Sequence, residues 1–584
     1  MVEPVRLVAD LMVERLRAWH VPRVFGYPGE GVAGVVAALG RAGGDPDFVR
    51  VRHEEAAGFM ATGHAKYAGG IGVCLAGHGP GALHLLTGLY DAKLDGKPVV
   101  AIVGQTGSPL GDAYRQDMEP GRLFGDACAQ FVRTAATAAE VPQLLDLAFR
   151  AAVATRSPTC VVVPEHLQTA AVSDVFGPSG RASVLAPGLP PARVLPHEAD
   201  LNAAAHLLSG GHRVAVLVGQ GGYGAADEIV ALADRVGAGV ATSLLGKPVL
   251  DERLPFHTGV LGQVGSNASA ELLAGCDTLL LVGTSDPWTD YYPLPGQAHV
   301  IQIDIDGRRL GSRYPVTVPL VGDAAETLRA LLPRIPQRAN REWRDRVELS
   351  VDRWREEAYA RAAAPADPVN PQLVVHELSG RLPSTASVAV DVGSVTYWYA
   401  RHLQLPPNVP VHLCGTLASM GCALPYGVAA KLAAPDRPVI ALTGDGAMQM
   451  NGLGELVTLA SRWPGWPDPR FVILVLNNRD RAGRQDGEPS WSDPTPQPDV
   501  PYAGWARLLG LHGVRVDRPE LVGPAWDEAL AADRPTVVEA VVDPAVPLRP
   551  PEEPFADLRG LFADGEDRAR ARDRQLRAAV QDLT

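Results

Sequence analysis

The feature that most constrains the fold is a recurring alternation of short apolar runs with helix-like segments along most of the chain. The runs are rich in Val and Ile, and turn residues and a periodic stretch follow each of them; examples are 99–103, 214–218 and 438–443. Such an alternation is typical of parallel strands, because consecutive parallel strands need a long crossover connection. The sequence therefore predicts an α/β fold in which parallel sheets are covered by helices.

Changes in composition divide this alternation into three blocks. We expect domains over residues 1–185, 197–335 and 365–546, followed by a polar, Arg/Asp-rich tail over 547–584. A Gly/Pro-rich stretch, 177–196, separates the first two blocks. A chain of 584 residues is long enough for about three or four domains. The predicted architecture is three doubly wound parallel-sheet domains.

Charge and cysteine usage exclude several classes of protein. A net charge of −13, with no basic stripe, argues against a nucleic-acid partner or an anionic membrane surface. The six cysteines form no CxxC pair, so they favour reduced core residues over zinc ligands or disulfides. The first 21 residues lack the apolar core of a signal peptide, and no apolar run approaches the length of a membrane span. We expect a cytoplasmic protein without a membrane span.

The densest cluster of chemistry-bearing residues lies between 444 and 480. Gly444, Asp445 and Gly446 end the strand-like run 438–443, and Asn478 follows the next run, 471–476. A helical crossover over 452–463 joins the two runs, so both sets of polar residues lie at one edge of a parallel sheet.

This edge is suited to a magnesium ion and a diphosphate. Mg²⁺ prefers oxygen ligands, and Asp445 offers a carboxylate, Asn478 an amide oxygen and Asp480 a backbone carbonyl. The glycines allow the backbone to turn tightly against a phosphate. The alternative is that the first motif is a surface turn and the second a strand cap, since short motifs recur by chance.

Five further motifs occur in the first and third blocks. Phe25–Gly29 comes first, followed by Val51-Arg-His-Glu54, which ends a strand and begins a helix, and then by Gly77-His-Gly-Pro80-Gly. The third block contains Asp391-Val-Gly393-Ser394 and then 416–425. Taken alone, Glu54 is explained by the preference of acids for helix N-termini.

The second block contains a glycine motif of a different kind. Residues 219–224 fit GxGxxG between a strand and a helix, as in a dinucleotide-binding unit. The next predicted strand, about 239–245, ends without an acidic residue for a ribose hydroxyl. The alternatives are an NAD-dependent dehydrogenase and glycines that only permit close packing of helix and strand.

In their order and spacing, these motifs resemble the thiamine diphosphate (ThDP) enzymes, in particular the branch of pyruvate oxidase and acetolactate synthase. That family carries GDG followed by NN about thirty residues later. The spacing here is a few residues longer, and we assign the excess to the proline-rich segment 462–470. The resemblance implies an N-terminal pyrimidine-binding domain, a central Rossmann-like domain and a C-terminal diphosphate-binding domain.

The resemblance also implies roles for individual residues. Glu54 would hydrogen-bond N1′ of the aminopyrimidine, which favours the tautomer whose N4′ deprotonates the thiazolium C2. Met420 would support the bent cofactor, and the carbonyl of Ala418 would accept from the 4′-amino group. The remaining residues implied to contact the cofactor are Pro28, Pro80, Gly393, Ser394, Gly446, Ala447 and Met448, and those implied to bind Mg²⁺ are Asp445, Asn478 and Asp480.

The implied reaction is decarboxylation of a small 2-keto acid to an enamine, which then undergoes oxidation or carboligation. Gln116 matches a family residue and is assigned a catalytic role, whereas Arg115 replaces its apolar neighbour. Arg115 could bind a substrate carboxylate or be a solvated loop charge. The segment 481–491 departs from the family pattern, being glycine-rich and highly charged, and is expected to be a lid.

The resemblance leaves three further points open. FAD is a candidate second cofactor of the central domain, with Asp304 at a strand end placed to bind its ribose; the alternative is a domain that has lost the flavin. Self-association as a homodimer or homotetramer is implied, because Glu54 and Asp445 of different chains would form one site. A catalytically retired binding or regulatory homologue is the alternative to an enzyme.

Overall fold

Three six-stranded parallel sheets organise the chain. The structure, a computed structural model, describes residues 5–106, 118–176, 187–188, 193–479 and 499–554. Every pairing between neighbouring strands within these sheets is parallel. The prediction of an α/β fold with three parallel sheets is therefore confirmed, while the exact domain boundaries remain predictions.

The first sheet has the strand order β2-β1-β3-β4-β6-β5. Its strands are β1 (Arg23–Gly26), β2 (Asp47–Arg50), β3 (Gly72–Ala76), β4 (Val99–Gln105), β5 (Val132–Thr134) and β6 (Pro158–Pro164). The helices around it are α1 (Val8–Ala18), α2 (Ala33–Arg41), α3 (Glu54–Ala68), α4 (Pro80–His84), α5 (Leu86–Leu94), α6 (Pro120–Leu123), α7 (Val141–Thr155), α8 (Glu165–Gln168) and α9 (Val172–Phe176). The order reverses between β1 and β3, which places a switch point there.

The second sheet has the order β12-β11-β10-β7-β8-β9. Its strands are β7 (Val214–Val218), β8 (Gly239–Thr242), β9 (His257–Val260), β10 (Thr278–Val282), β11 (His299–Asp304) and β12 (Val318–Val321). Helices α10 (Glu198–Gly210), α11 (Ala226–Val236), α12 (Asn267–Gly275) and α13 (Ala324–Leu331) accompany it, and the long helix α14 (Glu342–Ala363) leads to the third sheet.

The third sheet has the order β14-β13-β15-β16-β18-β17. Its strands are β13 (Ser387–Val390), β14 (Val411–Leu413), β15 (Val439–Gly444), β16 (Phe471–Asn477), β17 (His512–Val516) and β18 (Thr536–Val541). The helices are α15 (Pro371–Ser379), α16 (Ser394–His402), α17 (Ala423–Ala433), α18 (Asp445–Ala447), α19 (Leu453–Arg462), α20 (Tyr502–Leu508) and α21 (Val522–Ala531). The switch point of this sheet lies between β13 and β15.

The first and third domains share one apolar cluster, and each also has a cluster made of its own residues. A single cluster of buried side chains contains Phe25 and Met60 of the first domain together with Leu424 and Ile473 of the third. The contact is made by α3 packing against α17, where Gly63 lets the two helices approach closely. The central domain has two clusters made of its own residues and the helix that follows them.

A buried ionic cluster lies at this contact. The Nζ of Lys66 donates to Asp91 at 3.3 Å, to Asp95 at 2.6 Å and to the carbonyl of Leu413 at 2.9 Å. The Tyr426 hydroxyl also donates to Asp91. Burial raises the pKa of Asp91 to about 6, although the charge of Lys66 opposes that rise. The cluster joins α3 and α5 of the first domain to the third domain.

The central and third domains meet at Arg401. Its guanidinium donates to the backbone carbonyls of Gln263, Val264 and Gly265 in the central domain, and to that of Leu548. Tyr291 donates to the carbonyl of Pro551 at 3.0 Å. The segment that follows β18 is therefore held against both domains.

None of the helices in the described ranges is both long enough and apolar enough to cross a membrane.

Candidate functional site

The first half of the candidate site lies at the carboxyl edge of the third sheet. Strands β15 and β16 are neighbours, and their register places Gly444 beside Leu476. Asp445 and Asn478 therefore leave adjacent strand ends, beside the switch point between β13 and β15. Ligands of open α/β sheets bind at such crevices, so the fold brings these two predicted magnesium ligands to a suitable edge.

Asp445 begins the crossover to β16. It is buried, and one of its carboxylate oxygens accepts a hydrogen bond from the Gly446 amide at 2.9 Å. The Tyr502 hydroxyl donates to its backbone carbonyl at 3.3 Å. The crossover starts with α18, continues as a π-helical turn over Met448–Gly452 and becomes regular in α19. Such turns are frequent at functional sites.

The two asparagines at the end of β16 have different environments. Asn477 is buried, and its side chain donates to Glu539 at 3.0 Å and accepts from the Arg479 amide at 3.1 Å. Asn478 is partly exposed at the edge of the sheet. Arg479 then takes a left-handed conformation with φ of 61°. Asn477 therefore shapes the turn, whereas Asn478, the predicted ligand, lies at the edge of the sheet.

Asp391, at the end of β13, organises the neighbouring loops. Its carboxylate accepts from the amides of Val392 and Gly421 at 2.9 and 2.8 Å, from that of Ala423 at 3.1 Å and from the Thr443 hydroxyl at 3.1 Å. Complete burial raises its pKa, although these hydrogen bonds oppose the rise. One side chain thus ties together the ends of β13 and β15 and the start of α17.

The backbone around this carboxylate is unusual at two predicted cofactor contacts. Gly393 precedes Ser394, the first residue of α16, and its φ of 126° is a conformation that side chains other than glycine rarely adopt. Ala418 has a φ of 60°, which is uncommon for a residue with a Cβ. Met420, two residues later, is half-buried. Strain of this kind is concentrated at ligand sites.

The second half of the candidate site lies in the first domain. Glu54 is the first residue of α3, and its side chain is 17% exposed. One carboxylate oxygen lies 3.0 Å from Nδ1 of His84, whose ring lies 4.3 Å from that of His53. A Cβ at residue 81 would lie 3.0 Å from the other oxygen, so Gly81 leaves space there.

Prolines flank this half-site, as the motifs predict. Pro80 is the first residue of α4, the short helix that ends at His84. Pro28 follows the carboxyl end of β1, next to the switch point of the first sheet. Both therefore lie at strand ends on the same edge as Glu54.

The third domain of the same chain fixes the approach to Glu54. The Arg52 amide donates to Glu455 of α19 at 2.6 Å, and Arg462 pairs with Asp47 at 2.6 Å. Glu455 is buried, which raises the pKa of its carboxyl. The connection between β2 and α3 is thus held against the crossover helix that follows Asp445.

The sequence motifs did not identify Asp391, Glu455 or His84 as site residues. The signal for Asp391 is its position at the end of a strand, and that for Glu455 is an acid within an apolar crossover helix. His84 carries no local signal, because its relation to Glu54 depends on how α4 packs beside α3.

The glycine motif of the central domain is packed within the protein. The amides of Gly219 and Gly221 donate to the carbonyls of Val282 and Gly283, both at 2.9 Å. A Cβ on Gly221 would lie 2.7 Å from the Cα of Gly283. These amides are engaged and do not face a phosphate, which favours the packing alternative over a nicotinamide dinucleotide site.

Asp304 ends β11 and is mostly buried. One of its oxygens accepts from the Asp306 amide at 2.9 Å, and burial raises its pKa. Nearby, burial also raises the pKa of Asp286 to about 7. Asp304 is therefore at the carboxyl edge of the second sheet, as predicted, but it already has a backbone partner.

Several predicted features lie outside the described residues. They are Gln116 and the neighbouring Arg115, the third expected magnesium ligand Asp480, the expected lid 481–491, and the tail beyond residue 554.

The fold and these half-sites define an α/β protein built to bind a diphosphate cofactor at switch points of its sheets. Models of the thiamine pyrophosphate (ThDP) enzyme family match three segments: the N-terminal TPP binding domain at 6–122, the central domain at 201–331 and the C-terminal TPP binding domain at 391–540. The chain belongs to this family, and the predicted resemblance is confirmed.

Individual relatives support the same branch. The chain is 34% identical over 547 residues to a putative thiamine pyrophosphate-containing protein, YdaP, of Bacillus subtilis, and the match covers 93% of each protein. It is 29% identical over 552 residues to pyruvate oxidase of Lactiplantibacillus plantarum, covering 93% of this chain and 89% of that enzyme. It is 30% identical over 563 residues to the acetolactate synthase isozyme 2 large subunit of Escherichia coli, covering 93% and 97%.

Proposed function

We propose that this protein is a ThDP- and Mg²⁺-dependent enzyme that decarboxylates a small 2-keto acid and passes the product to oxidation or carboligation. The observation that carries the proposal is the position of Glu54 after β2 at the carboxyl edge of the first sheet, and of Asp445 and Asn478 at the carboxyl edge of the third, next to its switch point. The named relatives, a pyruvate oxidase and an acetolactate synthase, support the class of substrate.

The residues present fit a magnesium diphosphate. Asp445 and Asn478 supply the carboxylate and amide oxygens that Mg²⁺ prefers, and Gly393 and Gly444 leave open space where a Cβ would stand. Gly446, Ala447 and Met448 begin the crossover helix, whose amide end favours a phosphate. The carbonyl of Asp480 would complete the set of protein ligands.

The residues of the first domain fit the pyrimidine half of the cofactor. When bound, ThDP supplies a carbon nucleophile for the keto carbonyl and an electron sink for loss of carbon dioxide. Glu54 would hold a proton against the pyrimidine through the oxygen that Gly81 leaves accessible, while His84 orients its other oxygen. The backbone carbonyl of Ala418 would accept a hydrogen bond from the 4′-amino group of the pyrimidine. Met420 would pack against the bent cofactor and support its shape.

Turnover of the purified protein tests the proposal. Pyruvate and longer 2-keto acids are supplied with ThDP and Mg²⁺, and release of carbon dioxide is measured with and without a chelator. We expect release that depends on both cofactors. Binding of ThDP without release from any 2-keto acid would instead identify a catalytically retired homologue. Because Gln116 occupies a catalytic position of the family motif, Gln116→Ala should release carbon dioxide more slowly than the wild-type protein.

We further propose that the complete site forms between two chains of a homodimer, or of a homotetramer built from such dimers. Glu54→Gln and Asp445→Ala chains are coexpressed with different affinity tags, and the hybrid is purified. If each site combines Glu54 of one chain with Asp445 of the other, one site of the hybrid dimer contains both substitutions and the other contains neither. About half of wild-type activity is therefore expected. Sites within single chains leave every site damaged, and an inactive hybrid would contradict the proposal.

A second cofactor, FAD, remains a prediction for the central domain. Its support is the position of Asp304 at the carboxyl edge of the second sheet and the pyruvate oxidase relative. The amides of Gly219 and Gly221 are used within the protein and do not fit its phosphates. The visible spectrum of the purified protein tests for flavin directly, and Asp304→Ala should lower the flavin content if it is bound.

A further inference from the structure

A cavity of about 320 Å³ lies at the opposite edge of the first sheet from Glu54. Arg23 begins β1 and Ile71 immediately precedes β3, so the cavity opens at the amino ends of these parallel strands. Trp19, His20 and His64 line it from the first domain, and Ala433 closes it from the end of α17. The cavity therefore lies where the first and third domains of one chain meet.

Two side chains that line this cavity each contain a buried nitrogen without a hydrogen-bond partner among the described residues. Nδ1 of His64 and Nε of Arg23 are both buried, and no described residue forms a hydrogen bond with either atom. The His64 residue as a whole is 3% exposed. An unsatisfied buried polar group costs about 1–3 kcal/mol, so Arg23 and His64 both have unused hydrogen-bonding capacity next to the cavity.

The charge near the cavity is positive. The carboxylate of Asp47 is paired with Arg462, and no described carboxylate lies within ion-pair distance of Arg23. Burial lowers the pKa of the Arg23 guanidinium, the charge of Asp47 opposes that change, and the charge of Arg462 adds to it. Burial, together with the charge of Arg23, lowers the pKa of His64 to about 4. At neutral pH the imidazole is uncharged and can donate one hydrogen bond.

The walls of the cavity determine which anion it suits. Val21, Pro22, Ile71 and Ala433 contribute apolar surface, and the indole nitrogen of Trp19 is already bound to Asp146 at 2.8 Å. The volume is at the lower end of the range for small-molecule sites, roughly 300–1,000 Å³. One guanidinium, one neutral imidazole and apolar walls favour an anion that has a carbon skeleton over inorganic phosphate.

We propose that this cavity is a binding site for a small organic carboxylate, held by the Arg23 guanidinium and the His64 imidazole. It is separate from the candidate catalytic site, although both involve α3. Glu54 begins this helix and His64 follows ten residues later, which corresponds to about 15 Å along the helix axis.

Titration calorimetry of the full-length protein without ThDP tests this site. The probes are acetate, malonate and pyruvate, with inorganic phosphate as the comparison. We expect at least one carboxylate to bind with one molecule per chain, and phosphate to bind more weakly. Absence of carboxylate binding, or tighter binding of phosphate, would overturn the proposal.

Substitutions of the residues that line the cavity test whether the carboxylate binds there. Arg23→Gln and His64→Phe should each weaken carboxylate affinity roughly tenfold or more, because each removes a polar group that lines the cavity. Arg23→Lys keeps the charge and should retain part of the affinity. Arg534→Gln removes an exposed arginine that pairs with Asp533 and serves as the matched control. Circular dichroism checks folding, and unchanged affinity in folded Arg23→Gln and His64→Phe would refute the assignment.

Discussion

Replacement of Lys66 by methionine should destabilise the protein far more than loss of an ordinary lysine. Its ammonium group and both partner carboxylates, Asp91 and Asp95, are 0–1% exposed. Removal of the ammonium group leaves the buried carboxylates of Asp91 and Asp95 without their counter-charge, and it leaves the Leu413 carbonyl without its hydrogen-bond donor. Loss of one partner from a buried ion pair costs about 3–5 kcal/mol, and Lys66→Met should fall in that range.

Lys93→Met is the matched control for this substitution. Lys93 also pairs with an aspartate, Asp126, but their side chains are 30% and 70% exposed. An exposed pair contributes about 0–1 kcal/mol, so this variant should remain close to wild type. The midpoint of urea denaturation and the Tm, measured for both variants, give the comparison. Equal effects of the two substitutions would refute the reasoning.

The pH dependence provides an independent check on the Lys66 cluster. The pKa of Asp91 is raised in the folded protein to about 6. Stability from this group is therefore fully present below its unfolded pKa and is lost as the pH rises through about 6. Without Lys66, Asp91 loses the charge that opposes the rise of its pKa, so the stability deficit of Lys66→Met should shrink as the pH falls through about 6. Lys66→Met/Asp91→Asn/Asp95→Asn should recover much of the loss at neutral pH.

Three further substitutions test individual residues. Glu54→Gln should abolish ThDP-dependent turnover while the circular dichroism spectrum stays that of wild type; retained turnover would exclude its catalytic role. Asp391→Ala should lower the Tm and weaken ThDP binding measured by calorimetry, because it leaves several buried donors unpaired, whereas Asp391→Asn should have a smaller effect. Gly221→Ala should cost about 1–3 kcal/mol through contact with the Gly283 backbone, while Gly210→Ala, at a position with open space, should be neutral in the same urea denaturation.

Local patterns were sufficient to predict the parallel sheets. The crossover predicted over 452–463 contains α19, and the run predicted as 471–476 is β16 with one added residue. Apolar runs of this kind are buried on both faces of a sheet, so burial follows directly from composition. The strand expected over 239–245 ends earlier, at Thr242, because the Ser243 side chain accepts from the Gly246 amide and starts a helical turn.

The site was predicted only where its residues have a local signature. Glu54 and Asp445 follow strands within recognisable motifs, and the structure places both at sheet edges. The contact between Arg52 and Glu455 joins residues that are 403 positions apart, and no local pattern encodes it. The GxGxxG segment shows the reverse case, since the pattern is present but its amides are used by a neighbouring loop.

The distribution of the apolar cores also bears on how this chain can change during evolution. The first and third domains bury part of their apolar side chains in one common cluster, so neither would keep its complete core without the other. The central domain has clusters formed by its own residues and α14. The cluster shared by the outer domains contains no described residue of the central domain, so substitutions in the central core should leave that shared cluster intact.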